Sequence, residues 1–348
     1  MFLAIELLSL ASYCLIALPG TKRTLEAVIK YLAIGTISTC LLLFGVLLAY
    51  SLTTKIDLLA FVAPYGDCAA TWCVPVFIVP AFLIKLGAAP FHYWVADVYD
   101  NAPATTTVLL STFVKLCVFL LFCRVLYVTF GESVFVWQPL VATSAAASIA
   151  VGCLGALYQK RVKRLLAYSS INNVGYALAA LSTASPAGLQ AGVAYLLFYV
   201  FTLALLFILL NSPAGEGITY ISDMKKLRAY RPYDLIATAV LFSLAGIPPL
   251  SGFWVKFFVL SELINTEFYV LAVVGALFSV VSSFYYVNLI KILYFEKSVI
   301  HADAVTLIDG RISIVFVLSV VLVVYPLFPQ AVYGPSRIIA AVLGCGFV

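Results

Sequence analysis

Ten runs of about twenty apolar residues, each closed by polar turns or by Gly and Pro, take up most of this 348-residue chain. A helix needs roughly 20 such residues to cross a bilayer, because its backbone groups must pair internally where no water reaches. The runs fall at 2–19, 25–50, 74–97, 105–129, 136–157, 165–183, 187–210, 234–263, 267–294 and 311–328. The tail 332–348, broken by Gly334, Pro335, Gly344 and Gly346, is too short to count as an eleventh. The pattern predicts an all-α fold: one integral membrane domain over 1–348, a polytopic transmembrane bundle of about ten helices. Composition agrees, since 10% charged residues is far below the roughly 25% of a soluble domain. A soluble enzyme, a secreted disulfide scaffold and a disordered chain are excluded. No cleavable signal peptide is expected, because Met1 leads straight into the first run.

Lys and Arg set the orientation. With the runs numbered in order, the loops after odd-numbered ones carry Lys22, Arg23, Lys160, Arg161, Lys163, Arg164, Lys225, Lys226, Arg228, Arg231, Lys297 and Arg311. The opposite side carries Lys55, Arg124 and Arg337. The basic loops should face cytoplasm or matrix and both termini the other compartment. The net charge of +5 reflects this asymmetry and requires no nucleic-acid partner. The eight cysteines match no zinc, haem or iron–sulfur spacing and read as small apolar packing, although Cys68 and Cys73 share a loop and could pair. His92 and His301 are too far apart for a metal site, and no Gly-rich phosphate loop is present. The chain itself should hold no redox cofactor, metal or nucleotide.

The remaining basic residues, Lys30, Lys85, Lys115, Lys256 and Lys291, all fall inside runs. Lys30 and Lys291 lie near the basic ends of theirs, where four-carbon stems reach the headgroups. Lys85 and Lys115 sit about halfway along, where a charge costs roughly 2.5–3.5 kcal/mol on insertion scales. Such residues face a protein interior or a hydrated cavity and mark ion or proton paths. Lys256 follows Ala245-Gly246-Ile247-Pro248-Pro249-Leu250-Ser251-Gly252, and Lys85 opens Lys85-Leu86-Gly87-Ala88-Ala89-Pro90. Neither segment continues a regular helix, so two broken helices are predicted, each with a lysine within about two turns of its break. Transporters build ion sites at such breaks. Burial disfavours the ammonium form and a nearby carboxylate favours it, so moving an acidic partner switches a buried lysine between releasing and holding a proton. Glu6 is the acidic residue placed for that role, although position six can equally be wet.

Three stretches resemble one family. They are Lys85 to Trp94 with Asp97-Val98-Tyr99 and Ala102-Pro103, then Lys163 to Ile171 with Gly175-Tyr176, and Ser243 to Pro249 with Gly252-Phe253 and Lys256-Phe257. Together they are similar to the antiporter-like membrane subunits of proton-pumping NADH:ubiquinone oxidoreductase, respiratory complex I, of the subunit 2 type (N-type in bacteria). The resemblance covers Glu6 to about residue 328. It implies the antiporter-like fold and a proton path in which Glu6 pairs with Lys85, Lys115 continues the path and Lys256 ends it. Lys30 also matches a family position, as a secondary candidate, and His92 matches as a structural contact.

The resemblance further implies that NADH, FMN, iron–sulfur clusters and ubiquinone are held elsewhere in the complex. The implied partners are other membrane-arm subunits, among them the neighbouring antiporter-like subunit, together with lipids and protons. Members of the family usually have fourteen helices, so the ten runs correspond to the fifth through fourteenth. A separate small subunit, or lipid and accessory proteins, would then fill the place of the first four. The expected location is the mitochondrial inner membrane, with a bacterial plasma membrane as the alternative. Two rival readings share the fold: a subunit of a multi-subunit cation/proton antiporter, and a structural spacer that no longer pumps. Ser111, Thr112, Ser169, Ser170 and Ser251 are candidate hydroxyls along the path.

Overall fold

In the computed structural model, residues 1–54 and 69–296 are described, apart from 213, 214, 216, 230–232 and 249, together with residue 319. The expectations for the run 311–328, the tail, Cys68, Lys55, Arg231, Lys297, His301, Arg311, Arg337 and Pro249 lie outside the described residues.

Helices follow the apolar runs closely. α1 (Phe2–Ala17) and α2 (Lys22–Thr53) are joined by a turn at Gly20, and Thr21 caps α2 by accepting from the Thr24 N–H at 3.2 Å. α3 (Ala69–Leu86) and α4 (Tyr93–Asn101) are the two halves of the first broken span. The next span runs over Ala104–Thr129 and includes α5 (Ala104–Leu109) and α6 (Lys115–Arg124). Two π-helical turns, Leu110–Val114 and Val125–Thr129, interrupt it, and no feature of the sequence announced them. α7 (Val134–Leu157), α8 (Val162–Leu181) and α9 (Pro186–Leu210) follow. α10 (Tyr233–Ala245) and α11 (Ser251–Asn265) are the second broken span, and α12 (Tyr269–Phe295) closes the described part.

Among the described residues this makes an all-α transmembrane bundle with no strand beyond an isolated antiparallel bridge, Arg161 to Tyr220. The bridge and a 3-10 turn at Ile221–Ala229 order much of the long basic loop. Among the described residues five helical segments are long and apolar enough to cross a membrane by themselves: Lys22–Thr53, Ala104–Thr129, Gly131–Leu157, Pro186–Leu210 and Tyr269–Phe295.

α8 is different because it does not need to face lipid. From Leu165 to Leu181 every residue except Tyr168 is buried, so polar Ser169, Ser170, Asn172 and Asn173 can occupy it. α7 packs along its length, with α9 and α4 beside it. The approach is close at Gly152 of α7, where any Cβ would overlap the backbone nitrogen of Asn172. By contrast Leu3, Leu7 and Leu10 of α1 and Val270, Val280 and Phe284 of α12 are exposed, the expected arrangement for faces that meet lipid or another subunit. The polar interior is therefore concentrated on one central helix, with the broken spans beside it.

Candidate functional site

The first break ends α3 one residue after Lys85. Gly87 and Ala88 N–H groups bond back to Ile84 and Leu83 carbonyls, and the Trp94 indole donates to Ile84 O at 3.1 Å. Two serines from α7 hold the next residue: Ser148 Oγ accepts from Ala89 N–H at 2.8 Å, and Ser144 Oγ donates to Ala89 O at 2.6 Å. The exposed backbone of the break is thus paired by neighbouring helices, as apolar surroundings demand. Lys85 Nζ donates to Glu6 Oε1 at 3.0 Å and to Ser9 Oγ at 2.9 Å. Glu6 and Ser9, three residues apart in sequence, lie on one face of α1, so a single helical turn supplies both partners. A cavity of about 20 Å³, room for a water, is lined by Lys85 and Ser9. Tyr13, Tyr31, Trp94, Val114 and Val118 are among its walls, so it points from Lys85 towards α6.

Lys115 starts α6 directly after the first π turn. That wider turn changes the register of the helix just ahead of the lysine. The side chain is buried (1% exposed), donates to Ser170 Oγ of α8 at 2.7 Å and lies over the Tyr99 ring, 5.4 Å from its centroid. No carboxylate pairs with it among the described residues. The expected hydroxyls divide here. Ser170 meets the lysine, whereas Ser111 and Thr112 bond back to Val108 O of their own helix and Ser169 pairs with the Tyr286 hydroxyl.

At the second break the lysine lies on the far side. α10 ends at Ala245, Gly246 takes φ +82°, and α11 restarts at Ser251. Lys256 Nζ turns back to the open end of α10, donating to Ala245 O at 3.1 Å and Leu244 O at 3.3 Å. Those terminal carbonyls carry the negative end of the helix dipole, which attracts a cation. The Tyr176 ring lies 5.7 Å below the ammonium. Gly252 is required by contact, since any Cβ would overlap Ser243 O.

Lys30 does more than reach the headgroups. Its ammonium pairs with Glu26 and Asp97, each at 2.8 Å, and Asp97 also lies 3.6 Å from Arg164. Asp100 pairs with Arg161 at 2.6 Å. These contacts tie the second half of the broken span, α4, to α2 and to the start of α8. Lys291 is exposed on α12. His92 stacks on Tyr93 with centroids 4.6 Å apart, at the start of α4.

Several site residues were not singled out from the sequence. Asn172 and Asn173 carry a signal that could have found them, two amides inside an apolar run. Asn173 accepts from the Tyr195 hydroxyl at 2.6 Å and donates to Ser169 O at 2.8 Å. Tyr99, Tyr176, Tyr195, Tyr199 and Tyr286 carry none, because the 21 tyrosines of this chain are spread over core and surface alike.

The sequence profile of the transmembrane NADH:quinone oxidoreductase/Mrp antiporter family matches residues 1–282. The chain belongs to this family. It is similar to NADH-quinone oxidoreductase subunit N of Laribacter hongkongensis, 36% identical over 342 residues, with 96% of this chain and 70% of the relative aligned. The same subunit of Sphingopyxis alaskensis is 38% identical over 303 residues, taking in 85% of this chain and 64% of the relative. The chain thus spans about two thirds of the length of these relatives. A chain of respiratory complex I from Thermus thermophilus matches in structure with TM-score 0.80 and 28% identity, over 96% of this chain and 74% of that one. As a family member, the chain is an antiporter-like, multi-pass membrane subunit, as the motifs implied. These relatives are bacterial, so the mitochondrial location draws no support from them.

Proposed function

We propose that this chain is a proton-translocating membrane-arm subunit of an NADH-quinone oxidoreductase, and that Glu6, Lys85, Lys115 and Lys256 carry the protons. The observation that supports this reading most is the charge arrangement: three lysines withdrawn into the bundle, two of them at helix breaks, and one carboxylate facing the first. A packed apolar core has no use for such groups, which cost several kcal/mol to bury. In this reading the Glu6 carboxylate stabilises the Lys85 ammonium while the two are 3.0 Å apart. A shift of α1 or α3 that separates them favours release of a proton towards Lys115. Lys115 passes it on to Lys256, whose only described partners are carbonyls and an aromatic face. Re-forming the Glu6–Lys85 pair reloads the first site.

The enzymatic activity belongs to the whole complex in this reading. NADH, FMN, iron–sulfur clusters and ubiquinone are held by other subunits, and quinone reduction there drives the movement of charge here. The partners are the other membrane-arm subunits, including the neighbouring antiporter-like subunit, and lipids. The bacterial relatives favour a plasma membrane over the mitochondrial inner membrane. Lys115→Ala is the direct test. The complex should assemble and oxidise NADH, but vesicles containing it should lose this chain's share of proton transfer. Assembled Lys115→Ala complex with an unchanged proton-to-electron ratio would defeat the proposal. Sodium-dependent transport in membranes lacking NADH dehydrogenase would instead support the cation/proton antiporter.

A further inference from the structure

Between Lys115 and Lys256 the proton path has a gap, and what fills it can be read from the hydrogen bonds already committed. Ser170 Oγ accepts from Lys115 and donates to Ala167 O at 2.8 Å, so its own proton is engaged. Asn173 is an amide, which takes up no proton near neutral pH, and its donors and acceptor are engaged with Ser169 and Tyr195. The Tyr195 proton goes to Asn173, and the Tyr176 proton goes to Gly275 O at 2.7 Å.

The buried hydroxyls of Tyr99, Tyr199 and Tyr285 all lack a hydrogen-bond partner among the described residues, and of the three it is Tyr199, on α9, that lines a cavity with Lys256. Its side chain is 1% exposed and its hydroxyl has no hydrogen bond among the described residues, although it comes close enough to Ser170 to interact with it. The same side chain helps line a cavity of about 10 Å³ shared with Lys256, Asn173, Tyr195 and Ser243. Ser243 Oγ is likewise buried without a partner. A buried hydroxyl that forgoes its bonds costs roughly 1–3 kcal/mol, so an open one beside a cavity near the size of one water calls for a use.

We propose that Tyr199 is the relay that joins Lys115 to Lys256. The proposal rests on the proton path above and adds the residue that path lacks. The step conserves charge. The Lys115 ammonium gives a proton to Ser170 Oγ, whose own hydroxyl proton leaves Ala167 O and passes to a lone pair of the Tyr199 oxygen. The phenolic O–H breaks on the other side and its proton passes to the neutral Lys256 amine, directly or across a water in the cavity. Lys115 ends as an amine, Lys256 as an ammonium, and Tyr199 as a neutral phenol that rotates to reset. A phenol suits this position because it exchanges one proton for another without holding net charge in a low-dielectric site.

Tyr199→Phe, measured in assembled complex in inverted membrane vesicles, tests the relay. Loss of a positioned transfer group slows the step by about a hundredfold. The expected result is loss of this chain's share of the proton-to-electron ratio together with a larger solvent deuterium isotope effect. Tyr127→Phe, which removes a hydroxyl bonded to Leu181 O and Ser185 O near the far ends of α8 and α9, should change neither quantity. A second probe guards against a folding defect: a fluorotyrosine at position 199 packs like tyrosine but yields its proton more readily. It should keep the proton-to-electron ratio that Tyr199→Phe loses while changing the solvent deuterium isotope effect of proton transfer. Normal coupling in Tyr199→Phe, or an unchanged isotope effect with the fluorotyrosine, overturns the relay. If Lys115→Ala abolishes transfer while Tyr199→Phe does not, only the relay falls. If both variants pump normally, the proposed function falls with it.

Discussion

The two broken spans solve one problem in opposite ways. At the first, the lysine precedes the break and is matched by a carboxylate from α1, while serines from α7 pair the open backbone. At the second, the lysine follows the break and is itself the group that pairs the open backbone of α10. A carboxylate is a partner that can move away, because α1 is a separate helix with an exposed outer face. Backbone carbonyls cannot move away without unwinding α10. The first site therefore suits switching and the second suits a fixed terminus that fills and empties by transfer alone.

That contrast can be broken at either site. The largest expected effect is at the second break, where Gly252→Ala drives a methyl into Ser243 O and cannot be relieved by a side-chain rotation. Overpacking against backbone should cost about 3 kcal/mol, read as loss of the subunit from assembled complex on native gels. Glu6→Gln comes next. It leaves Lys85 without its counter-charge, but the pair is partly exposed at 9% and 22%, so roughly 2 kcal/mol is expected, less than for a fully buried pair. Thermal unfolding of the purified complex measures it, and coupling should fall with it; unchanged coupling would mean the pair is merely structural.

Ser148→Ala orphans the buried Ala89 N–H and should cost about 1–2 kcal/mol by the same melt, with Lys85 and Glu6 both intact. A loss of proton transfer larger than the loss of stability would show that the α7 serines position Lys85. Asp97→Asn removes the charge shared by Lys30 and Arg164 on the half-exposed basic side. It should cost roughly 0.5 kcal/mol, an effect that fades as salt is raised. A large effect at this site would put the coupling at the second half of the first broken span rather than at its break.

Much of this arrangement was legible beforehand because membrane insertion imposes simple rules. Lys85, Lys115 and Lys256 stood out since a charge amid twenty apolar residues needs a reason, and Gly246-Ile247-Pro248 could not be helix. Lys30 was only half read: its place near the basic end was visible, but its partner Asp97 lies 67 positions away in sequence. Glu6 was ambiguous from the chain alone, since nothing local distinguishes a wet carboxylate from one facing a lysine 79 positions later. Tyr199 was invisible, because a tyrosine between apolar residues reads as core unless its hydroxyl is seen to lack a partner.

By itself the sequence determined the all-α membrane class, the places of the two breaks and the three lysines. Each of these follows from transfer energies and backbone geometry that act within one helix. Only the tertiary structure decided which groups face those lysines: a carboxylate for Lys85, a serine and a tyrosine ring for Lys115, the carbonyls of a helix end for Lys256. Such pairings depend on how separate helices pack. A π turn ahead of Lys115 or a glycine at a crossing redirects a side chain without changing the apolar pattern that a sequence displays.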